Sequence, residues 1–145
     1  MPRSDPKISR SLPIMLLRGR EKVMGPIRAM LADAGITEQQ WRVLRVLTEE
    51  GAQDPTQIAQ KACLLLPSLT RILQKLEEKG LIHRRPDPDD GRKQIVVPTE
   101  AGADIIRDNL STSIELTRQL RNQMGPDRFE LLLDLLNELD DLNET

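Results

Sequence analysis

The stretch PSLTRILQKLEEKG at residues 67–80, followed by LIHRRPDPDDGRKQIVVPT at residues 81–99, decides the fold of this chain. In the first part, apolar residues recur with the 3.6-residue period of a helix. They are Leu69, Ile72, Leu73 and Leu76. Gly80 stands where a left-handed residue commonly ends a helix. Beyond it the period changes to two, which predicts strands at residues 82–85 and 92–97 joined by a charged turn.

Two helix starts precede this stretch. Thr37, with Gln40 three residues later, predicts a capping box, and Gly51 ends the helix that begins there. Asp54 followed by Pro55 predicts a short second helix, because an acidic N-cap and a proline in the first turn both favour initiation. Short helices followed by a hairpin form a winged helix-turn-helix. The predicted fold class is therefore mainly α with a small β-hairpin wing and flanking dimerisation helices.

Long helices flank the predicted winged region. Helical spacing of apolar residues predicts a helix over residues 11–35, with a kink at residues 25–26, and another over residues 99–124. The helix after Pro126 is apolar on more than one side. Its apolar residues are Phe129, Leu131, Leu132, Leu133, Leu135, Leu136, Leu139 and Leu142. Such a helix must be buried, and a small chain can hardly bury it alone, so we expect a homodimer.

The length of 145 residues suits one domain, which we place at residues 1–145. Within it, residues 36–99 are the predicted winged helix-turn-helix lobe. Residues 1–35 and 100–145 are the predicted dimerisation helices.

The composition excludes several classes of protein. The formal net charge is -2, and no apolar run reaches the about 18 residues that a membrane span needs. One cysteine, Cys63, rules out an internal disulfide framework and a cysteine-rich zinc site, and one histidine, His83, leaves little for a histidine-based metal site. We find no catalytic constellation and no glycine-rich phosphate loop in the sequence. We expect a cytoplasmic protein that is not an enzyme, uses no cofactor and contacts no membrane.

The net charge does not by itself indicate nucleic-acid binding. Evidence for that function must therefore come from local sequence patterns. The helix at residues 67–79 has a polar face opposite its apolar stripe. This face carries Arg71, Gln74 and Glu78, flanked by Ser68, Thr70 and Lys75. Short hydroxyls near a helix start, together with Arg, Gln and Lys, are the side chains that contact phosphates and base edges. The alternative is an ordinary amphipathic helix with a solvated polar face.

The tip of the predicted hairpin, Asp90-Gly91-Arg92-Lys93, places a carboxylate two residues before an arginine. An ion pair between Asp90 and Arg92 would orient the guanidinium for entry into a minor groove, whose negative potential favours it. Arg85 on the first strand and Lys93 beside Arg92 are further candidates for contacting DNA. The alternative for all of them is a solvated, charged surface.

The chain resembles the multiple-antibiotic-resistance regulator (MarR) family over nearly its whole length. The resemblance is carried by residues 69–84, by Asp87-Pro88-Asp89-Asp90-Gly91-Arg92-Lys93 and by Thr99-Glu100-Ala101-Gly102. Pro98 departs from the leucine that the family usually has at that place. Within the family, residues 11–21 and 37–44 resemble the regulators of the homoprotocatechuate degradation operon.

This resemblance implies a homodimeric regulator of double-stranded DNA, usually a repressor, which binds a pseudo-palindromic operator and is released by a small aromatic acid. It implies that Arg92 enters the minor groove, oriented by Asp90. It also implies a set of residues that face the major groove. These are Ser68, Thr70, Arg71, Gln74 and Lys75.

Three residues are candidates for binding the effector, which we expect to be a small phenolic carboxylate. Arg20 lies at the edge of the apolar stripe of the first helix, where a charged group needs a partner. That partner is either an acid of the same dimer or the effector carboxylate, for which arginine offers a bidentate fork. Ser11 would line the same cleft by family resemblance. Trp41 is either a core residue or the floor of the effector pocket.

Cys63 gives a rival hypothesis, a thiol-based redox-sensing regulator. A sensor thiol is accessible and has a lowered pKa, whereas Cys63 lies beside Leu64-Leu65-Leu66, so we expect it to be a core residue. A second rival is a winged-helix protein-interaction module that does not bind DNA.

Overall fold

The computed structural model describes residues 7–143, in which six α-helices and one β-hairpin follow a short 3-10 helix at Ile8–Arg10. The first four helices are α1 (Leu12–Ala34), α2 (Glu38–Glu50), α3 (Pro55–Lys61) and α4 (Leu66–Glu78). The strands β1 (Ile82–Pro86) and β2 (Gln94–Pro98) come next, and α5 (Glu100–Met124) and α6 (Pro126–Asp140) complete the fold. This order confirms the predicted fold class.

The chain divides into two compact units. One unit contains residues 28–111 and therefore holds α2, α3, α4 and the hairpin. The other contains the described residues up to Ile27 and from Thr112 onward, which include all of α6. The α1 and α5 helices each belong partly to both units. Pro26 lies inside α1, which continues past it to Ala34.

The predicted starts of α2 and α3 are confirmed in atomic detail. In α2, the Gln40 backbone N–H donates to Thr37 Oγ1, and the Thr37 N–H donates to Gln40 Oε1, both at 3.1 Å. In α3, the N–H of Gln57 donates to Asp54 Oδ1 at 2.9 Å, and the reciprocal bond to the glutamine side chain is 3.2 Å. Both helices therefore begin with their first N–H groups satisfied by local side chains.

The hairpin forms near the predicted position, with its boundaries shifted. The register pairs Ile82 with Pro98 and Pro86 with Gln94. The second strand was predicted to begin at residue 92, but it begins at Gln94. The reason is that the Lys93 N–H donates to Asp90 O at 3.0 Å, which keeps the tip closed as a turn for two more residues. Gly80 has φ +73, as predicted for the end of α4.

A third extended segment joins the hairpin, and the sequence did not predict it. Gln53 pairs with Val96 through two backbone hydrogen bonds of 3.2 and 2.8 Å. This bridge connects the segment between α2 and α3 to the edge of β2 that faces away from β1. The wing is therefore anchored to the helical part of its unit at a second place besides its own chain connections.

The unit of residues 28–111 has a dense apolar core. Side chains with 1% exposure or less come from α2, α3, α4 and both strands. They are Val43, Leu44, Leu47, Ile58, Leu69, Leu73, Leu76, Ile82 and Val96. Of the four residues in the predicted stripe of α4, only Ile72 is half-buried rather than buried. Burial on this one face fixes the rotation of α4 and leaves its polar face outward.

Thr99 and Gly102 connect the hairpin to α5. Thr99 Oγ1 donates to Gly80 O at 2.7 Å, and the Gly102 N–H donates to the same hydroxyl oxygen at 3.1 Å. The Thr99 N–H also donates to Leu81 O at 3.0 Å. Thr99 thus caps α5 and at the same time holds the start of α5 against the turn that ends α4.

The other unit leaves much apolar surface uncovered within one protomer. No residue of α6 is buried, and six of its leucines are exposed. They are Leu131, Leu132, Leu133, Leu135, Leu136 and Leu139. The first half of α1 adds Leu12, Leu16 and Val23 to this exposed apolar set.

Candidate nucleic-acid interface

The polar face of α4 is presented to solvent. Thr70, Arg71, Gln74 and Lys75 are exposed, and Ser68 is half-buried near the start of the helix. No ion pair or side-chain hydrogen bond to another side chain is formed by these five residues within residues 7–143, although Thr70 Oγ1 donates to a backbone carbonyl of α4 at 3.2 Å. The face therefore carries hydrogen-bond donors and two positive charges, on Arg71 and Lys75, that remain available to a ligand. Its role in reading DNA stays a prediction.

The predicted ion pair at the hairpin tip is present. Arg92 Nε lies 3.8 Å from Asp90 Oδ1, and the same carboxylate oxygen accepts the Arg92 backbone N–H at 3.1 Å. The Arg92 side chain is 97% exposed. Asp90 therefore holds the backbone of Arg92 and lies near its Nε, while the arginine side chain extends into solvent. Its entry into a minor groove stays a prediction.

The two arginines of β1 have different surroundings. Arg85 is exposed and stays a candidate for a phosphate contact, as does the exposed Lys93. Arg84 is largely covered, and its Nε lies 3.7 Å from Glu77 Oε2, so that it connects the wing strand to the last turns of α4. The sequence analysis missed this pair, because Glu77 and Arg84 lie on different elements and share no local spacing.

Lys79 is a second residue that the sequence analysis missed. Its Nζ donates to Gly35 O and to Gln40 Oε1, both at 3.1 Å. Because Gln40 Oε1 also accepts the Thr37 N–H, one amide oxygen holds the start of α2 and the end of α4 together. The lysine thereby joins the last residues of the candidate recognition helix to the turn between α1 and α2.

The expectation that Cys63 is a core residue was wrong. Cys63 is exposed and has φ +56, the left-handed conformation that favours glycine. The chain reverses here between α3 and α4, and the Cys63 N–H donates to Gln60 O while the next N–H reaches back to Ala59 O. The buried residue of this turn is its neighbour Ala62, so the reversal directs the thiol to solvent.

The three candidate effector residues belong to different units. Ser11 and Arg20 lie in the unit that contains the first half of α1, and Trp41 lies in the unit of residues 28–111. Ser11 is half-buried, Arg20 is exposed and Trp41 is 5% exposed. The core interpretation of Trp41 is confirmed, while its contact with an effector and that of Ser11 and Arg20 stay predictions.

One carboxyl group in the unit of residues 28–111 has a lowered pKa. The Lys61 ammonium, which lies 2.5 Å from Glu50 Oε2, lowers the pKa of the Glu50 carboxyl, and the Gln53 amide adds to this effect. The carboxylate therefore stays charged to a lower pH, and it joins the end of α2 to α3.

Among residues 7–143, no group of three or more His, Cys, Asp or Glu side chains is arranged to hold a metal, and no helix could span a membrane.

The helix pair α3–α4 with its exposed polar face, followed by a wing with an extended arginine, defines a winged helix-turn-helix transcriptional regulator. Residues 36–93 match the MarR family. The chain is 37% identical over 129 residues to the HTH-type transcriptional regulator FarR of Neisseria gonorrhoeae, covering 89% of this chain and 88% of that protein. The chain belongs to the MarR family of transcriptional regulators.

Two further similarities support the narrower resemblance. Over 128 residues the chain is 36% identical to the homoprotocatechuate degradative operon repressor of Escherichia coli, covering 88% of this chain and 86% of that protein. The crystal structure of NadR in complex with 4-hydroxyphenylacetate is 35% identical, with a TM-score of 0.82 over 99% of this chain and 100% of that one. The predicted resemblance to homoprotocatechuate regulators is therefore confirmed.

Proposed function

We propose that the protein is a homodimeric repressor that binds a pseudo-palindromic operator and is released by a small phenolic carboxylate. The genes that it represses would serve the degradation of aromatic acids such as homoprotocatechuate or 4-hydroxyphenylacetate. It would act in the cytoplasm, by binding and not by catalysis. The observation that carries the proposal is the outward polar face of α4 beside the Asp90–Arg92 wing, in a chain 36% identical to a repressor of such an operon.

The proposal assigns different tasks to different segments. Residues 36–99 bind DNA, and residues 1–35 and 100–145 form the dimer. From α4, Arg71 and Gln74 reach base edges, while Ser68, Thr70 and Lys75 contact phosphates or bases. From the wing, Arg92 enters the minor groove, and Arg85 and Lys93 contact the backbone.

Release follows from linkage. In a symmetric dimer the two recognition helices must be about 34 Å apart to meet successive major grooves. An effector that binds more tightly to a dimer with a different spacing lowers the affinity of the dimer for DNA. The size of the decrease is set by the difference between the effector's affinities for the DNA-binding state and for the other state. We propose that Ser11, Arg20 and Trp41 take part in binding the effector, with its carboxylate on Arg20. The NadR structure with 4-hydroxyphenylacetate supports this class of ligand.

A selection experiment tests the proposal. The purified protein is mixed with a pool of random duplexes, and retained DNA is sequenced and then titrated by fluorescence anisotropy. We expect an inverted repeat whose half-sites are about one helical turn apart. Addition of 4-hydroxyphenylacetate or homoprotocatechuate should weaken binding. If no sequence is retained, the protein is not an operator-binding repressor, and the protein-interaction module becomes the better hypothesis.

The thiol-based regulator is a second candidate, which the exposure of Cys63 in the turn before α4 favours. Oxidation at this place would alter the start of the recognition helix. Treatment of the protein–operator complex with peroxide should then release DNA from the wild type and not from Cys63→Ser. Equal resistance of both proteins to peroxide would exclude redox control through this thiol.

A further inference from the structure

Gln53 is the residue at which the wing, α2 and α3 are joined within the unit of residues 28–111. Its backbone forms both hydrogen bonds of the bridge to Val96 of β2, and it directly precedes Asp54, the N-cap of α3. Its side-chain amide lies against the end of α2, because Gln53 Nε2 donates to Glu50 Oε2 at 3.2 Å. A single residue therefore connects β2 to α2 and to the start of α3.

The Glu50 carboxylate holds this amide in place. Glu50 Oε2 accepts from Gln53 Nε2 and also lies 2.5 Å from Lys61 Nζ at the end of α3, so one oxygen atom joins the ends of both helices to Gln53. The Glu50 and Lys61 side chains are each nearly half exposed, and an exposed ion pair of this kind adds little to stability. Its main effect is to restrict where the Gln53 side chain lies.

Gln53 itself is not arranged for the greatest stability. It is 6% exposed, and its amide oxygen, Oε1, is buried and accepts no hydrogen bond from the described residues. A buried acceptor without a donor raises the free energy of the folded state, and an apolar side chain of the same length would avoid that cost. Such a departure from the most stable arrangement is expected where a residue serves a function.

The function that this place in the fold allows is to set the wing relative to α4. Adjacent major and minor grooves of a DNA duplex are a fixed distance apart. Arg92 can therefore enter the minor groove while α4 lies in the major groove only if the wing is held at one distance from that helix. Arg92 lies four residues before Val96. The strand of Val96 is held by β1 on one edge and by Gln53 on the other.

We propose that Gln53, held by Glu50 and Lys61, is a positioning residue for the insertion of Arg92 into the minor groove. Gln53 does not contact DNA, and it acts by fixing β2 against the start of α3. The inference rests on the proposed function and adds to it a residue outside the DNA-facing surface. Asp90 holds the backbone of Arg92 within the hairpin tip, whereas Gln53 sets the place of the whole wing.

Two substitutions and one control test the inference. Gln53→Met keeps the side-chain length and the backbone bridge but removes the amide, and Glu50→Ala removes the carboxylate that holds it. Glu49→Ala is the control, because the neighbouring carboxylate pairs with Arg45 inside α2. Both glutamate substitutions remove one negative charge, which by itself should strengthen binding to DNA. Weaker binding by Glu50→Ala would therefore have a cause other than net charge.

Amide hydrogen exchange measures the hold on the wing without DNA. The Gln53 and Val96 N–H groups form the two bonds of the bridge, at 3.2 and 2.8 Å. Both should exchange several-fold faster in Gln53→Met and Glu50→Ala than in the wild type and Glu49→Ala, because the segment that carries Gln53 opens more often. Exchange at the wild-type rate in both variants would overturn the inference, whatever the protein binds.

Operator affinity shows whether Gln53 acts through Arg92. Each variant is titrated by fluorescence anisotropy against a duplex that the wild type selects from a random pool. Gln53→Met and Glu50→Ala should each bind it about three- to tenfold more weakly, a usual effect for residues that act on a ligand through others. The loss should disappear in an Arg92→Ala background but multiply with the loss of Arg71→Ala, because only residues that share an interaction are coupled. Glu49→Ala should bind at least as tightly as the wild type.

Urea unfolding separates positioning from a structural role. The midpoint of Gln53→Met should equal or exceed that of the wild type, because the substitution also removes the buried amide oxygen that has no donor. Wild-type affinity in both variants, or losses that multiply equally with Arg92→Ala and Arg71→Ala, would overturn the inference and leave the proposed function intact. A wild-type protein that retains no duplex would overturn both.

Discussion

Gly102 lies in the first turn of α5, directly against the backbone that follows α4. A Cβ built on it would lie 2.2 Å from the Leu81 carbonyl oxygen, a backbone atom that cannot yield by rotating. The Leu81 oxygen is also held by the Thr99 N–H. The glycine of the Thr-x-x-Gly segment is therefore required by close approach and not by its dihedral angles.

This close approach gives a first prediction. Gly102→Ala should lower the free energy of unfolding by about 1–3 kcal/mol, the usual cost of forcing extra volume into a filled site. Ala101→Ser is the control, because Ala101 is exposed in the same turn of α5. Its effect on the free energy of unfolding should stay within about 0.5 kcal/mol. Urea unfolding measures both variants, and equal midpoints would contradict the prediction.

Arg71 and Lys75 are both exposed on α4, but their removal should change DNA binding in different ways. Arg71→Ala should weaken binding to the selected operator by about 1–3 kcal/mol and relax preference at one base pair, as loss of a base contact does. Lys75→Ala should weaken all sequences alike and reduce the salt slope by about one unit. Anisotropy titrations distinguish the two, and unchanged operator affinity in both variants would disprove the assignment of α4 as recognition helix.

Cys63 shows where sequence reasoning at this scale fails. Its neighbours are apolar, and an apolar neighbourhood in sequence indicates a buried residue only while the chain keeps its direction. At Cys63 the backbone turns left-handed, and burial passes to Ala62. By contrast, the core alternative for Trp41 agrees with its burial, since Trp41 lies inside a continuous amphipathic helix whose period assigns its face.

At the scale of elements, local patterns predicted most of what forms. The capping box at Thr37, the N-cap at Asp54, the helix-ending glycines and the change of period at Gly80 involve residues within four positions of one another, and all of them are present. The bridge from Gln53 to Val96 and the bonds of Lys79 were not predicted. These contacts join residues about forty positions apart, and no local spacing records them.

Lys79 permits a prediction about how elements are held together. Lys79→Met keeps the length of the side chain and removes both hydrogen bonds to the turn between α1 and α2, so it should cost about 1 kcal/mol of stability. Lys79→Arg retains a donor and should recover part of the loss. Thermal unfolding monitored by Trp41 fluorescence measures the difference. Identical curves for Lys79→Met and wild type would show that the bonds contribute nothing.

For the whole molecule, the exposed leucines of α6 are the main unexplained surface of one protomer, and a second copy of the chain would cover them. Replacing Leu132 and Leu136 with Glu should abolish the dimer, because association would then bury unpaired charge. A control that replaces Arg128 and Asn137 with Glu changes polar positions of the same helix. Analytical ultracentrifugation should find a monomer or unfolded chain only for the leucine variant. A folded dimer of that variant would rule out this face of α6 as the dimer interface.

The candidate effector residues belong to two units of the chain. If the effector carboxylate pairs with Arg20, Arg20→Ala should weaken binding of 4-hydroxyphenylacetate and homoprotocatechuate by about 1.5–3 kcal/mol, the range for hydrogen bonds to charged groups. Arg18→Ala is the control, since Arg18 points to another side of α1 by the helical period. Calorimetry gives both affinities, and Trp41 fluorescence should change on binding if the ring lies near the indole. By linkage, the variant that binds the acid more weakly should also need a higher concentration of the acid to be released from the operator. Equal affinity of wild type and Arg20→Ala would remove Arg20 from the site, and failure of either acid to bind or to release the operator would assign the protein a different effector.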